Sequence, residues 1–217
     1  MQRWKSKLQV RGVIMKKVVK FGGSSLASAE QFKKVGDIIR ADKSRRYVVP
    51  SAPGKRSSSD TKVTDMLYSC YNLAIREKKF TSLLDEIHAR YNEIIDGLNL
   101  ELSLDHEFDM IRENFGKKIG RDYAASRGEY LNGKLIAAYL GFAFVDAAEV
   151  IFFQENGTLN REKTAQTMRE RLTGLDYAVV PGFYGCGADG YVKTFSRGGS
   201  DVTGSIVAGA MKADLYE

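Results

Sequence analysis

Cysteine and histidine are scarce in this chain, with two of each among 217 residues. Cys70 and Cys186 lack the spacing of a metal site, and so few cysteines predict a reduced, cytoplasmic setting and not a disulfide-rich secreted one. His88 and His106 have no Cys or His partner at ligand spacing, so we interpret both as surface or packing residues. No apolar run approaches the roughly 20 residues that span a bilayer, and we expect no membrane partner.

Two common nucleotide-binding signatures are also missing. The sequence contains no GxxxxGK[ST] stretch, which excludes a P-loop site. The Gly-x-Gly at 185–187 lacks the third glycine and the helix context of a dinucleotide fingerprint. Any nucleotide site in this chain must therefore be of another kind.

Positive charge is unevenly spread. The formal net charge is +6, but residues 1–14 carry four basic residues and no acid, which leaves +2 for the rest. The excess is thus weak support for a polyanion, and we expect no nucleic-acid partner. Residues 1–14 have neither the long apolar core nor the cleavage site of a signal peptide. Because Met15 looks like a natural start, we interpret 1–14 as an extension, from a vector or an upstream start codon, and 15–217 as the domain.

Strand-like and helix-like segments alternate along the chain. Helical spacing predicts a helix-rich segment over 80–120, interrupted at Gly97 and Gly116. This alternation predicts an α/β domain with a mostly parallel sheet sandwiched by helices. Runs rich in β-branched or aromatic residues predict strands at 17–21, 47–53, 141–147, 150–154 and 177–185, with another beginning in the final KADLYE.

Three helix starts are predicted from capping patterns. Ser28 with Gln31, and Ser126 with Glu129, have the spacing of a capping box, in which a hydroxyl and an acid or amide satisfy backbone N–H groups reciprocally. Asn160 has the right side chain and position to cap a third helix.

Glycine-rich polar stretches follow several of the predicted strands. In KVVKFGGSSLAS, residues 17–28, a glycine pair and two serines lie between a strand and a helix start. Successive N–H groups in such a turn can bind an anion, although an ordinary strand-to-helix turn would give the same pattern. Ligands of open α/β sheets bind outside the carboxyl ends of the strands, so we expect these stretches to gather at one edge. They lie at 20–25, 51–54, 182–190 and 197–201.

Five stretches in order resemble the motif set of aspartokinases, in the amino acid kinase superfamily. The resemblance runs from about residue 16 to the end of the chain. It implies an amino acid kinase-like fold and ATP-dependent phosphorylation of the β-carboxylate of L-aspartate, with Mg²⁺ bound through the nucleotide. This reaction opens the lysine, threonine and methionine pathway. The stretches are VKFGGSSLAS, VVPSAPGKRSSSDTKVTDML, SRGEYLNGKLIAAYL, VVPGFYG and TFSRGGSDVTGSIVAGAM.

The resemblance also implies which residues act on the phosphates. Lys20 would be the cation on the transferring phosphoryl group, with Gly22, Gly23 and Ser24 beside the phosphates. Asp201 would orient Lys20 and a second lysine. The structural alternatives are a solvated strand end for Lys20, a helix-start hydroxyl for Ser24 and an N-cap for Asp201. No general base is expected, because a substrate carboxylate is already ionised at pH 7.

The aspartate site implied by the resemblance must supply a cation, an anion and neutral donors. Arg197 fits the α-carboxylate through its planar fork, and Glu129 fits the α-ammonium. The structural alternative for Glu129 is its place in the capping box. The loop between Ser51 and Thr64 is long, which leaves open whether these two residues act together. The implied residues are Ser51, Thr64, Glu129, Phe183, Arg197 and Ser200.

Aspartokinases extend beyond the motifs present here. The resemblance implies that the sequence stops before the nucleotide-side strands and the regulatory ACT domains, so we expect the 217-residue chain alone to be inactive. An unpaired sheet edge would favour a homo-oligomer. Two alternatives stay open: a non-catalytic fragment that binds a small molecule or a partner, and another superfamily member such as a glutamate, acetylglutamate or uridylate kinase.

Overall fold

The computed structural model describes residues 15–196 and 198–217, so the predicted extension 1–14 and Arg197 lie outside the described residues. The described residues form seven strands: β1 Lys17–Phe21, β2 Arg45–Pro50, β3 Ala143–Phe144, β4 Ala178–Val179, β5 Tyr184–Cys186, β6 Val192–Thr194 and β7 Leu215–Tyr216. The helices are α1 Ala29–Arg40, α2 Val63–Ile75, α3 Thr81–Gly97, α4 Asp105–Gly116, α5 Arg121–Leu140, α6 Ala147–Val150, α7 Arg161–Leu172 and α8 Gly199–Met211, with a 3-10 helix at Gly23–Leu26.

The central sheet has five strands in the order β3-β4-β2-β1-β7. Each neighbouring pair in it is parallel. Strands β5 and β6 form a small antiparallel sheet of their own. The predicted α/β class with a mostly parallel sheet is therefore confirmed, and so is the strand in the final KADLYE, which pairs with β1.

Helices cover both faces of the sheet. Successive strand residues point to opposite sides, so neighbouring residues of one strand pack on different faces. Val19 and Val48 belong to the apolar cluster that contains the buried faces of α1 to α5. Their chain neighbours Val18 and Val49 belong to the cluster on the other face, with α6, α7 and α8. Parallel strands buried on both faces read as continuous apolar runs, which is why 17–21 and 47–50 were recognisable from sequence.

Two glycines of helix α5 let side chains from the loops after β2 and β4 approach it closely. A Cβ added to Gly128 would lie 2.7 Å from Ala52 Cβ, and one added to Gly133 would lie 2.6 Å from Pro181 Cγ. Side chains of this helix that follow Gly128 are thereby held next to the loop after β2. Glu129 is the first of them.

Two strand predictions in the second half of the chain are wrong. Residues 147–150 form helix α6, which Asp146 caps by accepting a hydrogen bond from the Ala148 N–H at 3.0 Å. This cap ends β3 after two residues and leaves only isolated bridges at Phe152 and Phe153. The predicted strand 177–185 is also split, since Phe183, with φ of 82°, separates β4 from β5.

The predicted capping box at Ser126 and Glu129 is wrong as well. Helix α5 already begins at Arg121, after Gly120 with φ of 152°, so both residues lie inside it. The cap at Asn160 is confirmed, because its side chain accepts from the Lys163 N–H at 3.1 Å. In the part of the chain that the structure describes, none of the helices combines the length and apolar character needed to cross a membrane.

Candidate active site at the carboxyl ends of the strands

The loops that follow β1 and β2 are in direct backbone contact. The Gly54 N–H donates to the Gly23 carbonyl at 2.8 Å. A Cβ on Gly23 would lie 2.8 Å from the Ala52 carbonyl oxygen, and one on Gly54 would lie 2.6 Å from the Gly23 carbonyl carbon. Only glycine fits at these two positions, so the sequence fixes how closely the two loops meet.

A cavity of about 460 Å³ opens beside this contact, and we call it the Glu129 cavity. It brings together five residues that the sequence predicted for the site, and it adds two lysines, Lys55 and Lys62, that sequence reasoning missed. Both lysines lie in the quoted stretch VVPSAPGKRSSSDTKVTDML, which was the available signal. The lining is Gly23, Ser24, Ser51, Ala52, Pro53, Gly54, Lys55, Lys62, Thr64 and Glu129.

Glu129 is the buried acid of this cavity, with 6% of its surface exposed. Burial raises the pKa of its carboxyl to about 8, against a hydrogen bond from the Ala52 backbone and the charge of Arg127, which favour the ionised form. Among the described residues, its Oε2 has no hydrogen-bond partner. A buried acceptor without a partner is costly, so the site gains free energy when a cationic donor enters.

Ser51 links three elements at the end of β2. Its N–H donates to the Phe21 carbonyl at 3.0 Å, and its hydroxyl donates to Ser200 Oγ on α8, also at 3.0 Å. Its carbonyl accepts from Asn132 Nδ2 at 2.6 Å. Asn132 is fully buried, and its Oδ1 has no partner within residues 15–196 and 198–217. Sequence reasoning missed Asn132, although it lies three residues after Glu129 on the same helix.

Phe183 and Ser200 are close to this cavity, but neither belongs to the described lining. Ser200 is 8% exposed and packs against Gly182, where an added Cβ would lie 2.5 Å from Ser200 Oγ. Phe183 packs against Gly199, and its N–H donates to Thr203 Oγ1 at 3.1 Å. In the structure these two predicted residues position the start of α8, next to the cavity.

Lys20 and Asp201 form an ion pair at the end of β1. Lys20 Nζ lies 3.0 Å from Asp201 Oδ1, and the side chains are 22% and 63% exposed. Gly22 lies beside this ammonium, since a Cβ at that position would be 3.8 Å from Lys20 Nζ. The pair thus presents a solvent-accessible cation beside a glycine turn, which is a surface that suits a phosphate.

Two points remain, the predicted residue Arg197 and the search for a metal site. Arg197, predicted for the α-carboxylate, lies outside the described residues. No group of three or more His, Cys, Asp or Glu side chains that could hold a metal ion occurs within 15–196 and 198–217.

The carboxyl edge of the parallel sheet thus carries a buried acid and a lysine–aspartate pair. The Amino acid kinase family matches residues 15–217, and the chain belongs to that family. It is 41% identical to aspartokinase 3 of Bacillus subtilis, over 93% of this chain and 47% of that protein. It is 33% identical to the chloroplastic aspartokinase 1 of Arabidopsis thaliana, over 89% of this chain and 38% of that protein.

Solved structures give the same family resemblance. The aspartate kinase of Clostridium acetobutylicum superposes with a TM-score of 0.91 at 48% identity, covering 93% of this chain and 47% of that one. Aspartokinase III of Escherichia coli, in complex with aspartate and ADP, superposes with a TM-score of 0.76 at 22% identity, covering 93% and 48%. The second likeness shows the fold alone. The chain spans about half the length of these relatives.

Proposed function

We propose that the protein phosphorylates the β-carboxylate of L-aspartate with ATP, giving β-aspartyl phosphate and ADP. The observation that carries this proposal is the Glu129 cavity, in which a buried acid lies at the same sheet edge as the Lys20–Asp201 pair. Support comes from the aspartokinases of Bacillus subtilis and Clostridium acetobutylicum, at 41% and 48% identity.

The proposed aspartate contacts follow from the chemistry of the cavity. The α-ammonium of aspartate supplies the cationic donor that Glu129 Oε2 needs, and the hydroxyls of Ser51 and Thr64 supply neutral donors to carboxylate oxygens. Lys55 and Lys62 add positive charge to the lining. We further propose Arg197 for the α-carboxylate, where a planar guanidinium offers two parallel hydrogen bonds.

The proposed phosphate contacts lie at the end of β1. A β-carboxylate oxygen attacks the γ-phosphorus of ATP, and the bond between that phosphorus and the bridging oxygen of ADP breaks. Lys20 would stabilise the charge on the transferring group, with Asp201 holding its ammonium in place. Mg²⁺ would be carried by the nucleotide phosphates, whose oxygens are the ligands it prefers.

The reaction is tested by trapping the acyl phosphate. The complete gene product is incubated with Mg-ATP, hydroxylamine and one candidate acceptor, and hydroxamate and ADP are measured in parallel. We expect product with L-aspartate and none with L-glutamate, N-acetylglutamate or UMP. Turnover that prefers one of the other three acceptors would contradict the proposal and assign the chain to another member of the superfamily.

Location and assembly are part of the same proposal. Cys70 and Cys186 are free thiols, which supports a reduced, cytoplasmic setting. We also propose that the protein assembles as a homo-oligomer. Light scattering of the purified protein tests this, since a single mass equal to one chain at all concentrations would contradict it.

A further inference from the structure

The loop between β2 and α2, residues 51–62, forms much of the wall of the Glu129 cavity. Gly54 and Lys62 line the cavity from this loop, and Thr64 lines it from the first turn of α2. Such a loop needs fixed ends if its lining groups are to meet a small ligand at hydrogen-bond distance. Ala52 and Pro53 at its start are buried, but the rest of its sequence, GKRSSSDTK over 54–62, offers no apolar side chain that could hold it in place.

Both ends of this loop are bonded to one buried side chain, Arg90 of helix α3. Its Nη1 donates to the Thr61 carbonyl at 2.7 Å, and its Nη2 donates to the Gly54 carbonyl. The same Nη2 lies 3.1 Å from the Asp60 carboxylate. One rigid guanidinium therefore joins two loop carbonyls that are seven positions apart in sequence, as well as the loop's own acid.

Arg90 is 3% exposed, although it carries a full charge. Burying a guanidinium is costly unless it is paired, and the Asp60 carboxylate provides the compensation. The pKa of that carboxylate is held well below its usual range, chiefly by a hydrogen bond from Arg56, so it stays ionised. Within the described residues Arg90 Nε has no partner, so the carbonyls and Asp60 are the contacts that Arg90 makes.

Helix α3 is in turn fixed to the opposite wall of the cavity. The hydroxyl of Tyr91, the next residue, donates to the Gly128 carbonyl at 2.8 Å, directly before Glu129. Tyr91 is fully buried. Two consecutive residues of α3 thus contact the two walls of the Glu129 cavity, the loop through Arg90 and α5 through Tyr91. Helix α3, which does not itself line the cavity, therefore adds a link between the walls to the direct contact of Gly128 with Ala52.

We propose that Arg90 is a positioning residue for aspartate: it holds the loop 51–62 at a fixed distance from Glu129. This rests on the proposed function, and it assigns to α3 a role in substrate affinity. Without the guanidinium, the loop would still be attached at Gly54, whose N–H donates to the Gly23 carbonyl at 2.8 Å. At its exposed side it would still be attached by Arg56, which bonds Glu93 at 2.8 Å and Asp60 at 3.0 Å. Exposed pairs of this kind contribute little, so Arg56 cannot replace Arg90.

The test compares Arg90→Met and Arg90→Lys with Arg112→Met in the complete gene product. Arg112 is the control for removing an ion-paired arginine from the helical segment, since it pairs with Asp85 and Asp109 and makes no contact with the loop in the described structure. We expect Arg90→Met to raise the KM for aspartate by about 10- to 100-fold, with the KM for ATP changed by less than about twofold. Arg90→Lys should recover part of the loss, because an ammonium reaches one carbonyl but lacks the fork.

A second readout does not depend on activity. Hydrogen exchange of the backbone amides in 54–62 should be faster in Arg90→Lys than in the unsubstituted protein, and unchanged in Arg112→Met. This decides the case if Arg90→Met does not fold, or if the protein turns out not to use aspartate, which would overturn the proposed function separately. Unchanged exchange in Arg90→Lys, an equal rise in both KM values, or the same rise in Arg112→Met would overturn the positioning role.

Discussion

The two carboxyl groups of the candidate site, Glu129 and Asp201, lie in opposite environments. Glu129 is 6% exposed, has its pKa raised to about 8 by burial and, among the described residues, leaves Oε2 without a partner. The Asp201 side chain is 63% exposed and already paired with Lys20 at 3.0 Å. The first acid is built to gain a cation from a ligand, and the second already has one from the protein. In the proposed reaction, the buried end would therefore bind aspartate and the exposed end would act on the phosphoryl group.

The largest effect is expected from removing the cation at the exposed end. Lys20→Met should lower kcat of the complete gene product by about 100- to 1000-fold, with little change in the KM for aspartate, because the lysine acts on charge that develops in the transition state. Steady-state kinetics measure this. Lys17→Met is the control, since Lys17 lies at the other end of β1, pairs with Asp42 and Glu217, and should leave kcat unchanged. If turnover of Lys20→Met stays within a few-fold of normal, Lys20 is only a solvated lysine at a strand end and has no role in catalysis.

The next effect concerns the buried end. Glu129→Gln keeps the shape of the side chain but removes the charge that the α-ammonium needs, and it should raise the KM for aspartate by about 10- to 150-fold. The KM for ATP should stay nearly constant. The control is Glu113→Gln, an exposed acid of α4 paired with Lys117. Equal changes in both KM values would count against an aspartate contact at Glu129.

The same substitution should change how stability depends on pH. Between about pH 4.5, the ordinary pKa, and about pH 8, folded Glu129 keeps its proton while the unfolded chain has released it. Stability is therefore lost as pH rises through this window, with a slope approaching about 1.4 kcal/mol per pH unit. Urea unfolding of the 217-residue chain at several pH values should show Glu129→Gln losing less stability between pH 5 and 8 than the unsubstituted chain. Parallel curves for the two would mean that Glu129 titrates normally.

The smallest effect is expected for stability at the exposed end. Asp201→Asn should change the free energy of unfolding by only about 0–1 kcal/mol, since the pair with Lys20 is open to solvent. Its kcat should fall less than that of Lys20→Met, because the ammonium remains. A loss of stability well above about 1 kcal/mol would show that Asp201 stabilises the first turn of α8 more than it organises Lys20.

Features that depend on short stretches of sequence were predictable. Buried strands such as β1 and β2 read as apolar runs, and the glycine stretches after them lie at one sheet edge, as expected for parallel strands. The capping box at Ser126 was wrong because capping is decided by where the helix begins, and α5 begins five residues earlier at Arg121. The strand expected at 150–154 was wrong because helix α6 extends to Val150 and only isolated bridges form after it, at Phe152 and Phe153.

Features that depend on packing between distant segments were not predictable. Arg90 contacts Gly54 across 36 positions, and Asn132 contacts Ser51 across 81. No local pattern marks either residue, since a charged or amide side chain on a helix normally faces solvent. The burial of Glu129 has the same origin, because it depends on how closely α5 approaches the loop after β2 at Gly128 and Ala52.

The central claim is that the Glu129 carboxyl is neutral in the empty cavity and ionises when the ammonium of aspartate binds beside it. One experiment tests this directly. The protein is titrated calorimetrically with L-aspartate at pH 7, in two buffers of different ionisation enthalpy. With a pKa of about 8 in the empty site, close to one proton should be released for each aspartate bound, and affinity should rise between pH 6 and 8. Glu129→Gln should abolish the release. Binding that is tight and releases no proton, or releases the same number of protons from Glu129→Gln, would contradict the account.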